Sequence, residues 1–167
     1  MSRVPAKLML ALLVAAGCSE GTDWRPVTLA ELKGQSGYEN RTGPGGDFLS
    51  ATGDFNGDEI ADKVTLMRSD SEDKAQFMVV LGGDKGVFPV GGIRAEHIPK
   101  VGVVRVPAGV YQLACPWEDG AVVACEPRSV TFEKDAINIF GFHATGTYMY
   151  YVGGGFRDVG DSERVEL

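Results

Sequence analysis

The stretch Asp54–Asp62 reads DFNGDEIAD and gathers four side chains that end in oxygen ligands within one short loop. Asp54, Asn56, Asp58 and Asp62 occupy loop positions one, three, five and nine, with a glycine between the second and the third. Carboxylate and amide oxygens closely spaced around a glycine turn are the ligands that a hard cation such as Ca²⁺ takes. The spacing therefore predicts a calcium loop, and the alternative is a polar turn closed by Asx hydrogen bonds without metal.

The residues that follow the loop predict a strand. In Lys63–Met67 the apolar Val64 and Leu66 alternate with polar neighbours, which is the period of a half-buried strand and not of a helix. Thr65 also stands at the twelfth position, where an EF-hand places its bidentate glutamate. The loop is therefore predicted to lead into a β-strand and not to be an EF-hand.

This loop resembles the D-x-[DN]-G-D-x-x-x-D calcium loops of FG-GAP and VCBS repeats. The resemblance implies side-chain ligands from Asp54, Asn56, Asp58 and Asp62, and a backbone carbonyl ligand from Ile60. It covers about a dozen residues and no second copy follows, whereas a propeller needs at least four blades of about 40–45 residues. The resemblance thus implies one calcium loop and does not imply a propeller.

Two further expectations concern this loop. Glu59 stands where such loops often have glycine, so a left-handed conformation there would cost on the order of 1 kcal/mol. Three carboxylates in an exported protein predict a dissociation constant for calcium of about 10⁻⁴ to 10⁻³ M, the range of extracellular modules.

Residues 1–17 have the features of an export signal. Arg3 and Lys7 form a positive start, and Leu8–Ala16 is an apolar run too short to span a bilayer. Small residues then lead into Cys18, an order that resembles a bacterial lipoprotein signal and implies that Cys18 is lipidated. By the same resemblance, Ser19 favours the periplasmic side of the outer membrane. The alternative is ordinary secretion after cleavage at an A-x-A-like site.

The charge of the chain argues against nucleic acid as a partner. The whole sequence has 16 basic and 23 acidic residues, a net charge of −7. Removal of residues 1–17 takes away Arg3 and Lys7 only, which leaves 14 basic residues and a net charge of −9. Such a domain repels phosphate backbones, whereas a divalent cation suits it.

Cys115 and Cys125 remain as an even pair once Cys18 carries a lipid. In an oxidising compartment the pair predicts a disulfide, with two buried thiols as the alternative. Asp119-Gly120 is a hairpin signal between the two cysteines. A two-residue turn there would place Cys115 opposite Ala124, so the disulfide needs either a five-residue loop or a bulge, and the sequence leaves both open.

The sequence predicts a mainly β domain of antiparallel hairpins, forming a small sheet sandwich or a partial barrel, with one short N-terminal helix. We expect a tether at 18–23, a single domain at 24–160 and a flexible tail at 161–167. A capping box, Thr28 with Glu31, starts the helix, which should run to Lys33. Gly82–Gly92 is expected to be an irregular connection with at most a short edge strand, because Pro89 cannot donate within a ladder. The predicted strands are 48–52, 63–67, 76–81, 101–106, 110–115, 121–125, 129–132, 136–140, 147–152 and 156–159. Four hairpins are predicted among them, pairing 63–67 with 76–81, 110–115 with 121–125, 129–132 with 136–140, and 147–152 with 156–159.

No catalytic pattern accompanies the loop. His97 and His143 are the two histidines, neither has triad or metal-ligand spacing, and no G-x-S-x-G occurs. Tyrosines at 148, 150 and 151 with Trp117 suit either a ligand groove or sheet packing. We therefore expect a non-enzymatic, calcium-stabilised envelope lipoprotein with a binding or structural role, with an envelope protein or a glycan as partner. The alternative is an inhibitor of an envelope-acting hydrolase that inserts the loop Pro116–Gly120 into a cleft.

Overall fold

The computed structural model describes residues 23–113, 117–118, 121–122, 126, 128–144 and 146–159. Strands account for 53% of the structure and helices for 11%, which confirms the predicted mainly β class. The signal peptide with Cys18, the pair Cys115 and Cys125, and the tail 161–167 lie outside the described residues, as does most of the loop Pro116–Gly120.

The described residues form strands in four antiparallel groups, three of them described with their side chains. In chain order the strands are β1 (Trp24–Pro26), β2 (Ser50–Gly53), β3 (Asp62–Ser69), β4 (Lys74–Leu81), β5 (Gly86–Arg94), β6 (Val101–Val106), β7 (Gly109–Leu113), β8 (Trp117–Glu118), β9 (Ala121–Val122), β10 (Arg128–Phe132), β11 (Ala136–Gly141), β12 (Gly146–Val152) and β13 (Gly155–Asp158).

The first sheet has the order β1-β3-β4-β5, and β2 also pairs with β3. The predicted alternation is confirmed, because Val64, Leu66, Phe77 and Val79 all point into the core and are fully buried. The predicted hairpin of β3 and β4 is confirmed as well, with Val64 opposite Val79.

The expected irregular connection at Gly82–Gly92 is wrong in its extent, because β5 is a nine-residue strand through this region. Pro89 is tolerated since, among the described strands, β5 pairs with β4 alone and lies at the sheet edge. The register shifts between Gln76 and Phe77, where Gly91, with a φ of 60°, is the extra residue of a bulge.

The second sheet has the order β13-β12-β11-β6. The last predicted hairpin is confirmed, with Val152 paired to Gly155 across two residues. Gly153 and Gly154 have φ values of 58° and 88°, as a type I′ turn requires. The glycine run thus closes a hairpin.

The predicted pairing of 129–132 with 136–140 is wrong. The predicted pairing of 110–115 with 121–125 is wrong for 110–113, whose partners lie in 128–131, while 114–116 and 123–125 lie outside the described part of the chain. Instead β7 pairs with β10 in a separate ribbon, and β11 pairs with β6 and β12. Glu118 pairs with Ala121 on either side of the predicted turn, and residues 119–120 lie outside the described part of the chain. The chain leaves the ribbon at the end of β10 and crosses into the second sheet at the buried Asp135.

The two sheets enclose the main core. Val64, Leu66 and Phe77 from the first sheet belong to one buried cluster with Val103 and Ile137 from the second. A smaller cluster on the other side of the second sheet joins it to the β7–β10 ribbon through Val106, Phe132 and Ala136. Successive residues of β12 serve both clusters, since Tyr148 and Tyr150 face the ribbon while Met149 and Tyr151 face the main core.

The predicted helix is present as Leu29–Leu32. Its capping box is confirmed, because the backbone N–H of Thr28 donates a 2.7 Å hydrogen bond to Oε2 of Glu31. Two unpredicted 3₁₀ helices lie at Tyr38–Arg41 and Ala95–Lys100. Within the part of the chain that the structure describes, no helix combines the length and the apolar character needed to cross a membrane.

Candidate metal site

The candidate loop connects β2 to β3, two strands that pair with each other. Gly53, the last residue of β2, lies opposite Asp62, the first residue of β3. Phe55 is fully buried in the main core and fixes the start of the loop. The ends of the loop are therefore held together by strand pairing, and its polar residues are gathered over the edge of the core.

The carboxylate of Asp54 closes the turn. Its Oδ1 accepts hydrogen bonds from the backbone N–H groups of Gly57 (2.8 Å) and Asp58 (3.0 Å), and its Oδ2 accepts one from Glu59 (2.9 Å). Glu59 has a φ of 66°, in the left-handed region, where the sequence predicted strain for a residue other than glycine. The three hydrogen bonds to Asp54 stabilise that conformation.

Asp62 fixes the other end of the loop. Its side chain is 1% exposed, and Oδ2 accepts hydrogen bonds from the N–H groups of Phe55 (2.7 Å) and Asn56 (3.3 Å). Its Oδ1 accepts a hydrogen bond from the N–H of Gly82, at 2.8 Å, just beyond the end of β4. A buried carboxylate requires such donors, because its desolvation is otherwise costly. Asp62 thus ties the loop to the neighbouring hairpin.

The two middle ligand candidates contact each other. Asn56 Nδ2 donates a 2.8 Å hydrogen bond to Oδ2 of Asp58, and the backbone N–H of Asp58 donates a 3.0 Å bond to Oδ1 of Asn56. Oδ1 of Asp58 accepts a hydrogen bond from the N–H of Ile60, at 2.8 Å. Ile60 itself is 43% exposed, and a Cβ on Gly82 would collide with its side chain.

A lysine that the sequence analysis missed lies against the loop. Lys85 donates from Nζ to Oδ2 of Asp58, forming an ion pair. This bond lowers the pKa of Asp58 and raises the pKa of Lys85, whose ammonium also lies in the field of Asp62 and Asp54. Only the folding of β4 and β5 brings Lys85 here, 27 residues away, so local spacing could not have revealed it.

The turn between β10 and β11 supplies two more contacts that the sequence did not indicate. Lys134 Nζ donates a 2.9 Å hydrogen bond to the carbonyl oxygen of Asn56. Oδ2 of Asp135 accepts a 2.9 Å hydrogen bond from the N–H of Asp54 and an ion-pair contact of 2.7 Å from Arg105 Nε. Burial raises the pKa of Asp135, but the bonds from Arg105 and Asp54 outweigh it, and the pKa is lowered overall.

The predicted donor set is brought together, and its chemistry suits a hard cation. Asp54, Asn56, Asp58 and Asp62 all bond within this one loop, and they supply only oxygen ligands. Their oxygens bond mostly to backbone N–H groups, however, and one bonds to Lys85. Among the described residues, no group of three or more acidic, histidine or cysteine side chains has the arrangement of a metal site. The residues fit calcium by type, and Asp58 would have to exchange Lys85 for the ion.

The other candidate residues stay apart from the loop. His97 is exposed, with Nε2 3.7 Å from Oε1 of Glu96, and His143 is exposed two residues beyond the end of β11 with a φ of 66°. Tyr148 packs against Phe132 with 5.7 Å between ring centroids. The arrangement agrees with sheet packing for Tyr148, while the side chain of Trp117 lies outside the described part of the chain.

The fold and the site define a mainly β protein in which the acidic turn Asp54–Asp62 connects two strands that pair with each other. Comparisons of this chain with family models, with curated proteins and with solved structures give no match. The functional assignment therefore rests on the residues and contacts described above.

Proposed function

We propose that this chain is a calcium-stabilised β domain of the bacterial cell envelope, with a binding or structural role and no catalytic activity. The loop Asp54–Asp62 carries the proposal. In it, Glu59 takes the left-handed conformation at the position where such calcium loops often have glycine, and Asp54 organises the turn through three backbone N–H groups. Three carboxylates this close together repel one another unless a cation lies between them.

The ion would be held by side-chain oxygens of Asp54, Asn56, Asp58 and Asp62 with the carbonyl of Ile60. Bound there, Ca²⁺ would balance the negative charges that now face one another and Lys85. This chain's own residues set the position of the loop, since Phe55 is buried and Asp62 bonds to Gly82 across the β3–β4 hairpin. Calcium would therefore stabilise the β2–β3 connection and the sheet edge next to it.

Thermal melting in calcium tests the proposal. Binding to the folded state alone stabilises it by RT ln(1 + [L]/Kd), about 2.7 kcal/mol at a hundredfold excess over Kd. The melting temperature should rise with millimolar Ca²⁺, rise less with Mg²⁺ and fall with a chelator. Asp54→Asn should remove this response. Glu39→Gln, which removes one exposed carboxylate in the 3₁₀ helix, should keep it. An equal response in both variants would refute the site.

The cellular address is proposed from the signal sequence. Lipidation at Cys18 would tether the domain to the periplasmic side of the outer membrane, and an oxidised Cys115–Cys125 pair belongs to the same compartment. Cys18→Ala should move the protein from the membrane fraction to the soluble periplasm. A wild-type protein that is already soluble and begins at another residue would contradict the lipid anchor without affecting the calcium proposal.

A further inference from the structure

A cleft lies beside the candidate metal loop, on the turn that leads from β10 to β11. It has a volume of about 330 Å³, within the range of roughly 300–1,000 Å³ that small-molecule sites occupy. The turn forms one wall and the end of β12 forms the other. Its lining includes Thr131, Phe132, Glu133, Lys134, Tyr150 and Tyr151. Both walls therefore belong to regular strands or their tight connection, which gives the cleft a fixed shape.

Aromatic rings form much of this lining. The rings of Phe132 and Tyr150 pack with centroids 6.1 Å apart, and Phe132 is buried while Tyr150 is half-buried. Tyr151 is also half-buried and is held edge-on by Phe156, at 5.3 Å between centroids. An aromatic face carries partial negative charge and attracts the weakly positive C–H groups of a saturated ring. Tyr150 and Tyr151 lie on opposite faces of β12, so the ring that a pyranose would contact next to Lys134 is that of Tyr151.

Lys134 places a cation in the cleft. Its Nζ lies 5.5 Å from the centroid of the Tyr151 ring and donates one hydrogen bond, to the carbonyl oxygen of Asn56. Among the described residues, no carboxylate forms an ion pair with Lys134, in contrast to Lys85 with Asp58. An ammonium has three donors. The two contacts therefore position Lys134 and leave donors for a negatively charged ligand.

We propose that this cleft binds a saccharide that carries a carboxylate, with Lys134 pairing with the carboxylate. Thr131 and Glu133, both exposed in the lining, would bond to the ring hydroxyls. Glu133 disfavours a ligand that is only an anion, and the aromatic lining favours a ring over an open chain. Together, the cation and the aromatic lining favour an acidic pyranose over a neutral sugar and over a small carboxylate. The inference names a ligand class for the binding role proposed above, and it rests on the cleft and not on calcium.

Titration of the full chain with D-glucuronate tests the proposal, followed by NMR shifts or tyrosine fluorescence. D-glucose supplies the ring without the charge, and acetate supplies the charge without the ring. We expect saturable binding of glucuronate in the millimolar range, about tenfold tighter than glucose or acetate. Lys134→Met keeps the alkyl stem and should reduce glucuronate binding to the level of glucose. Lys33→Met, at an exposed lysine far along the chain, should leave it unchanged.

The melting curve of each variant shows whether it folds. If Lys134→Met does not fold, glucuronate binding is measured with Lys134→Arg instead. The charge-preserving variant should keep the preference for glucuronate over glucose. Absence of saturable glucuronate binding, or equal binding by wild type and Lys134→Met, would overturn the inference. The titration is repeated with calcium and with a chelator, so that a failure of the cleft is distinguished from a failure of the metal loop.

Discussion

The backbone N–H of Asp54 donates a 2.9 Å hydrogen bond to Oδ2 of Asp135, 81 residues further along the chain. The carboxylate of Asp135 also bonds to Arg105 from the second sheet, at 2.7 Å to Nε and 3.0 Å to Nη2. Gly53 makes the approach possible, because a Cβ there would stand 2.8 Å from Oδ2 of Asp135. One buried carboxylate thus joins the candidate metal loop to the second sheet.

Asp135→Asn should destabilise the domain by about 1–3 kcal/mol, because it removes the charge that pairs with Arg105 and weakens the bond to Asp54. Chemical denaturation of both proteins measures this free energy of unfolding. Asp84→Asn removes the same charge from an exposed residue with a φ of 60° and should have little effect. Equal stabilities for the two variants would contradict the structural role of Asp135.

Lys85 is expected to compete with calcium for Asp58. Lys85→Met should increase the apparent calcium affinity by about twofold to fivefold, the equivalent of one partly exposed ion pair. Competitive titration against a fluorescent calcium chelator measures the change. Lys63→Met, at an exposed residue of β3, serves as the control for a lost positive charge. Lower affinity in the Lys85 variant than in this control would show that Lys85 does not oppose the ion.

Glu59 provides a test of backbone strain in the loop. At a φ of 66°, Glu59→Gly should be more stable than Glu59→Ala by about 1 kcal/mol, because only glycine adopts this region without steric cost. Thermal unfolding of the two variants under the same conditions gives the difference. A glycine variant that is less stable than the alanine variant would mean that residue 59 has a right-handed or extended conformation.

The sequence revealed features that depend on near neighbours along the chain. The period of two at Val64 and Leu66 located β3, the Thr28–Glu31 capping box located the helix, and Gly153-Gly154 located a hairpin. The positive φ of Glu59 followed from its position in the loop. Each of these is set by local backbone geometry and burial, so a single sequence carries the signal.

The features that the sequence analysis missed depend on contacts between distant segments. β10 and β11 were recognised as strands, but their pairing with β7 and with β6 and β12 depends on which faces the core buries. In the same way, Lys85 and Lys134 reach the loop through tertiary folding, over 27 and 78 residues. From the sequence alone, a turn residue such as Lys134 is expected to be solvated, because its neighbours along the chain do not indicate which segment packs against it.

Acid should weaken the domain through carboxylates that are hydrogen-bonded in the folded state. The hydroxyl of Ser69 and the N–H of Ser71 bond to Asp23 and lower its pKa from 3.8 to about 2. A lowered folded-state pKa gives stability that is present above pH 3.8 and is lost as the pH falls through about 2. Melting temperatures across this range should fall for the wild type and fall less for Asp23→Asn. If the melting temperatures of the two proteins fall in parallel with pH, Asp23 does not contribute to the stability of the domain.

Calorimetric titration of the chain with Ca²⁺ tests the central claim most directly, because it detects the bound ion itself. The wild type should bind one ion with a Kd of about 10⁻⁴ to 10⁻³ M. Asp58→Asn should abolish the binding heat, and Glu39→Gln should preserve it. Absence of binding heat in the wild type, or an unchanged isotherm for Asp58→Asn, would contradict the account and reduce the loop to an acidic turn closed by Lys85.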